Sequence, residues 1–149
     1  MDTLDREILS LLQADGRATM TDIAAQVGLS LSACHRRFRD LQASGVIRGF
    51  GVDLDFDLLG LPFEALVFVT MQSGDGAAVS AFEQAVVQLP NVVQAHRLFG
   101  EPDYQLYVVA RSKQHYQELY DQQLSLLPGV QRLRSTLVMK TVVEHHAPL

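Results

Sequence analysis

Residues 19–41 read TMTDIAAQVGLSLSACHRRFRDL, and this stretch decides the fold of the first third of the chain. Thr19 is a helix-capping residue with Asp22 three positions on, the spacing at which an acidic side chain reaches back to the cap. Ile23, Ala24 and Val27 supply a buried side, and Gly28 suits the left-handed turn that stops the helix. Ser30 caps a second helix that runs to about Ser44, before Gly45. Leu31, Cys34, Phe38 and Leu41 share one of its faces; Ser32, Ala33, Arg36, Arg37 and Asp40 point elsewhere, with His35 and Arg39 at the boundary. Two helices joined by so short a turn, the second carrying an outward basic face, predict a helix-turn-helix that enters the major groove of double-stranded DNA. Arg36, Arg37 and Arg39 can hold phosphates or read guanine edges, His35 can do either, and Ser30 and Ser32 can contact phosphate or bases. The competing reading is a solvated charge run, with Asp40 as an i, i+4 partner.

Outward from this stretch, Leu4, Ile8, Leu11 and Leu12 form the stripe of a preceding amphipathic helix, closed by Asp15-Gly16. The total charge is −5, which argues against DNA in the aggregate. Its distribution argues the other way: residues 30–48 hold Arg36, Arg37, Arg39, Arg48 and His35 against Asp40. One basic face on an acidic chain implies modest affinity for a single copy, so a dimer or larger assembly is expected.

Beyond Gly45 the pattern changes. Val52, Leu54 and Phe56 alternate with Asp53, Asp55 and Asp57, which predicts a linker strand over 51–62, ending at Gly60-Leu61-Pro62. Residues 63–149 then read strand, helix, strand, strand, helix, strand. The expected strands are Glu64–Met71, Val92–Phe99, Tyr104–Ala110 and Val130–Val143; the helices run from about Ala77 to Gln88 and from a Ser112 cap through Leu126. This βαββαβ order predicts an α+β chain whose second domain is a ferredoxin-like sandwich, with one antiparallel sheet and both helices on one face.

At 149 residues with 48% hydrophobic and 19% charged residues, the chain fits one or two folded domains. It has no membrane-length apolar run and its N-terminus lacks a signal-peptide pattern, so a cytoplasmic protein is expected. Cys34 has no cysteine partner, and packing or redox sensing are its two readings. His145-His146 could bind a metal or belong to a frayed tail, but no zinc-ligand spacing occurs. His96 and His115 lack a nucleophile or acid partner. No catalytic residue, metal or cofactor is expected, and the chain reads as a non-enzyme.

The order Leu4-Asp5, Asp15-Gly16-Arg17, Ile23-Ala24, Val27-Gly28-Leu29-Ser30, Cys34, Arg36-Arg37, Leu41 and Gly45-Val46-Ile47 resembles the N-terminal domain of the Lrp/AsnC regulators. The similarity continues through Leu59-Gly60-Leu61, Gly100, Asp103-Tyr104, Leu127-Pro128-Gly129-Val130 and Lys140, nearly the whole chain. It implies a winged helix-turn-helix (residues 1–50) joined by the linker to an effector-binding, oligomerising domain. It further implies homodimers assembling into octamers or other rings, with an amino acid or related effector bound between dimers. The matching effector residues are Gly100, Asp103 and Tyr104, with Thr136 on the pocket wall; Asp103 could accept from a ligand ammonium or satisfy its own turn. Three departures stand out: Ser32-Ala33 replaces a frequent Thr-Pro, Glu101-Pro102 replaces an Asp-Tyr pair, and Glu144 lies near a position often basic. Siroheme decarboxylases share this frame and define an enzymatic alternative, and an adaptor that never touches DNA defines a third.

Overall fold

Asp2 and Asp5 close the first turn of the chain reciprocally: each carboxylate accepts from the other residue's backbone N–H, at 3.0 and 2.9 Å. This capping box starts α1, Thr3–Ala14. In the computed structural model, which describes residues 1–143 and 147–149, α1 is followed by α2 (Met20–Gln26) and α3 (Leu31–Ala43). Thr19 caps α2 by accepting from the Asp22 N–H at 3.1 Å, and its hydroxyl donates to the Asp22 carboxylate at 2.7 Å. Ser30 caps α3 through the Ala33 N–H. Gly28, with φ of 69°, takes the left-handed turn between them. The core of this unit is Ile8, Leu12, Ile23, Ala24, Cys34 and Leu41, with Phe38 and Ile47 packed on its edge.

The structure departs here from two expectations. Leu31 does not join the buried stripe; it is 45% exposed at the start of α3. Residues 51–62 form no strand: the carbonyls of Asp55, Phe56 and Asp57 accept from Leu59, Leu61 and Gly60, and the Asp55 carboxylate accepts from the Leu58 N–H. Aspartates spaced for alternation act instead as turn acceptors. By compactness the chain divides into Met1–Asp53 with Val143–Leu149, and Leu54–Val142. The linker residues from Leu54 thus cluster with the second unit, and residues 143 and 147–149 with the first.

The second unit contains β1 (Phe63–Met71), α4 (Gly76–Val86), β2 (Val92–Arg97), β3 (Tyr104–Ala110), α5 (Lys113–Gln122) and β4 (Val130–Leu137). Its sheet is antiparallel in the order β2-β3-β1-β4, the expected ferredoxin-like arrangement. Val67 pairs with Leu106 on one side and Ser135 on the other. Ala65, Val67, Val69 and Met71 face the helices, burying against Phe82 and Val86 of α4 and Tyr116 and Leu119 of α5. Both helices therefore cover one face, and Leu66, Phe68 and Thr70 lie on the other.

α5 stops at Gln122, short of the expected Leu126. A single 3₁₀ turn, Leu124–Leu126, follows and buries both Leu124 and Leu127, three residues apart, as a three-residue turn allows. β4 likewise ends at Leu137, not Val143. Among the described residues no helix is long and apolar enough to cross a membrane. Glu144 and His145-His146 lie outside the described residues.

Candidate DNA-reading helix and effector cleft

The exposed side of α3 is built from Ser32, His35, Arg36 and Arg39, with Ser30 at its cap. Ser30 and Ser32 share a hydroxyl contact of 3.3 Å beside the helix N-terminus, and Arg39 Nε donates to the His35 carbonyl at 3.4 Å. No carboxylate lies within 4.0 Å of Arg36 or Arg39 among the described residues. Their guanidinium groups are therefore available to phosphate or base edges.

Arg37 differs from its neighbours, which corrects its placement on the outward face. Its Nη1 donates to Asp2 Oδ2 at 2.9 Å and Asp5 Oδ1 at 2.7 Å, and its side chain is only 23% exposed. The two carboxylates hold the guanidinium above its usual pKa, while the cap hydrogen bond from Asp5 and the pairing with Arg37 lower that of Asp2. The spacing held the signal: position 37 follows Cys34 by three and precedes Leu41 by four, so it shares their inner stripe. Residues 46–53 contain no paired strand, although Phe50 approaches Phe38 with ring centroids 6.2 Å apart.

In the second unit the β2–β3 connection forms one wall of a cleft of about 390 Å³. Gly100, Asp103 and Tyr104 line it together with Met71, Gly74, Val79, Arg97, Leu98 and Phe99. Gly100 has φ of 129°, a conformation that favours glycine. Tyr104 is buried against Phe82, with centroids 4.4 Å apart, and its hydroxyl donates to Glu83 Oε1 at 2.9 Å. Burial and that carboxylate push its pKa to about 12. Thr136 is not brought to this cleft. It pairs with Leu66 on β4, so its side chain stands on the sheet face away from the helices.

Glu101 and Pro102 line a second hollow with Phe68, Thr70, Arg132, Leu133 and Arg134, where the Arg134 guanidinium sits 4.9 Å above the Phe68 ring. The altered dipeptide thus turns away from Gly100 and Asp103. Arg97, beside Asp103 and Tyr104, was missed from the sequence; as the last residue of β2 it carried no motif, only proximity to the loop. Among the described residues no group of His, Cys, Asp and Glu could hold a metal ion.

The profile of a winged helix-turn-helix DNA-binding domain matches residues 1–48, and that of the Lrp/AsnC ligand binding domain matches residues 64–148. The chain is 33% identical over 148 residues to the Bkd operon transcriptional regulator of Pseudomonas aeruginosa, covering 99% of this chain and 97% of that one. It is 33% identical to a leucine-responsive regulatory protein of Rhizobium meliloti, over 95% and 91% of the two chains. Among solved structures, a transcriptional regulator of Neisseria meningitidis in complex with L-Met superposes with a TM-score of 0.91 at 28% identity, over 97% of this chain and 93% of that one. The two-unit architecture, the capped helix pair and these whole-length similarities together establish that this chain belongs to the Lrp/AsnC family of transcription regulators.

Proposed function

We propose that the chain binds specific DNA through α3 as a homodimer or larger ring, and that an amino acid bound in the second unit controls that binding. The observation that carries the DNA half is the exposed row Ser32, His35, Arg36 and Arg39, whose two arginines have no carboxylate partner among the described residues. Two copies would place two such helices in successive major grooves and offset the modest pull of one small basic face.

Support for the effector half comes from the cleft beside Gly100. Arg97 and Asp103 offer opposite charges to a carboxylate and an ammonium, and Met71, Val79 and Leu98 offer apolar wall. The structural relative from Neisseria meningitidis is a complex with L-Met. A zwitterion with an apolar side chain fits this lining. Coupling follows if the effector changes how copies associate, since association sets the spacing of the α3 helices.

The test is fluorescence anisotropy on the DNA upstream of the chain's own gene, titrated with salt and with a panel of amino acids. Replacing Arg36 and Arg39 together with Gln should weaken binding and reduce the log–log salt slope by about 0.9 for each phosphate no longer neutralised. Unchanged binding by that variant would exclude α3 as the reading helix. If no amino acid alters the DNA-binding curve or the oligomer size, the effector half fails.

A further inference from the structure

Arg37 sits in the middle of the α3 basic run, yet it faces the protein. All four oxygens of the two carboxylates beside it have defined work. Asp2 uses Oδ1 to accept from the Asp5 N–H and Oδ2 to accept from Arg37; Asp5 uses Oδ2 for the Asp2 N–H and Oδ1 for Arg37. The capping box therefore fixes both carboxylates in place at the start of α1 independently of Arg37. The remaining packing of the helices in this unit rests on apolar side chains such as Ile8, Leu12, Cys34 and Leu41, which attract without fixing rotation about the helix axis. The ion pairs to Asp2 and Asp5 are directional, and they are the ones found among the described residues.

We infer that Arg37 is a positioning residue for DNA reading: it clasps α3 to the capping box of α1 and so sets which way Arg36 and Arg39 point. This rests on α3 being the helix that faces DNA. A phosphate would have to displace two carboxylates already aligned on one nitrogen, whereas Arg36 and Arg39 have no such competitor among the described residues. Both bonds come from Nη1 alone, so the planar fork of the guanidinium is not used. One compact cation at that point suffices.

The carboxylates make the discriminating experiment. Asp2→Asn/Asp5→Asn keeps both cap acceptors, removes two negative charges from the DNA-binding unit and releases Arg37. Simple electrostatics predicts tighter DNA binding by this variant. The clasp predicts the reverse for the specific site: affinity lower by on the order of tenfold, nonspecific affinity equal or higher, and the salt slope unchanged. Arg37→Gln should behave the same way, and Arg37→Lys should restore specificity. Arg36→Gln, run beside them, should lower the slope by about 0.9. Thermal unfolding of each variant separates loss of the fold from loss of geometry, and Arg37→Lys carries the test if the others melt.

Tighter specific binding by Asp2→Asn/Asp5→Asn, or a slope about one lower in Arg37→Gln, would make Arg37 a DNA contact and overturn the inference. Specific binding unaffected by Arg37→Gln would overturn it as well. If Arg36→Gln changes neither affinity nor slope, the fault lies with α3 as the reading helix, and the clasp loses its purpose with it.

Discussion

The carboxylate of Asp103 accepts a 2.7 Å hydrogen bond from the backbone N–H of Met71, and the Asp103 N–H donates to the Val69 carbonyl at 2.9 Å. These bonds stitch the β2–β3 connection to the end of β1, while the Asp103 carbonyl closes the connection by accepting from Leu98 at 2.8 Å. The residue that resemblance assigns to a ligand thus also has a structural duty. Asp103→Ala strands the part-buried Met71 N–H and should lower stability by about 1–3 kcal/mol, read as a lower urea midpoint. Asp103→Asn keeps a carbonyl acceptor and should recover most of that stability. An Asp103→Ala variant that unfolds like the parent would assign the carboxylate to ligand alone.

Tyr104 gives the second unit a defined alkaline limit. Burial, reinforced by the Glu83 carboxylate, favours its neutral phenol and raises the folded pKa to about 12, against about 10 in an unfolded chain. The stabilisation is complete below pH of about 10 and is lost as pH rises from there towards 12, because the unfolded chain releases its proton first. Tyr107 and Tyr116 shift in the same direction, chiefly through burial, and remain in any single variant. Tyr104→Phe should therefore show a shallower, not abolished, fall of unfolding midpoint between pH 9 and 12, pH values chosen to bracket about 10. Equal slopes for parent and variant would contradict the assignment.

Cys34 is fully buried, and burial pushes its thiol up. A thiolate is the reactive form, so the native protein should react with a disulfide reagent at least about tenfold more slowly than the urea-unfolded chain. Rapid labelling of the folded protein would instead favour a redox role over packing.

How much of the fold and site is legible in the sequence varies with the kind of signal. Thr19, Gly28 and Ser30 announce their helix ends because capping is local chemistry, readable within four residues. The βαββαβ order follows from alternation in β1 and β3, where one face is buried. Position 37 is misplaced when charge is weighed above period; its neighbours at 34 and 41 are buried, and only a partner 32 residues away makes that tolerable for a cation. Thr136 and Arg97 exchange places for a related reason: which strand residues meet one loop depends on register and strand order, which no local pattern encodes. The end of α5 at Gln122 has neither Gly nor Pro to mark it, and is set by the need to bury Leu124 and Leu127.

The open space around Gly100 decides what that position can accept. Nothing lies within 4 Å of where its Cβ would stand, so a substitution there meets no steric wall; the difficulty is the φ of 129° alone. Such a penalty concerns handedness, not bulk. Alanine and a much larger L-residue would strain that backbone alike, and asparagine gains little, since 129° lies outside the left-handed helical well it tolerates. A D-alanine, whose preferred φ has the opposite sign, would sit there without strain. The loop beside the cleft is held open to mirror-image chemistry at a single atom's position.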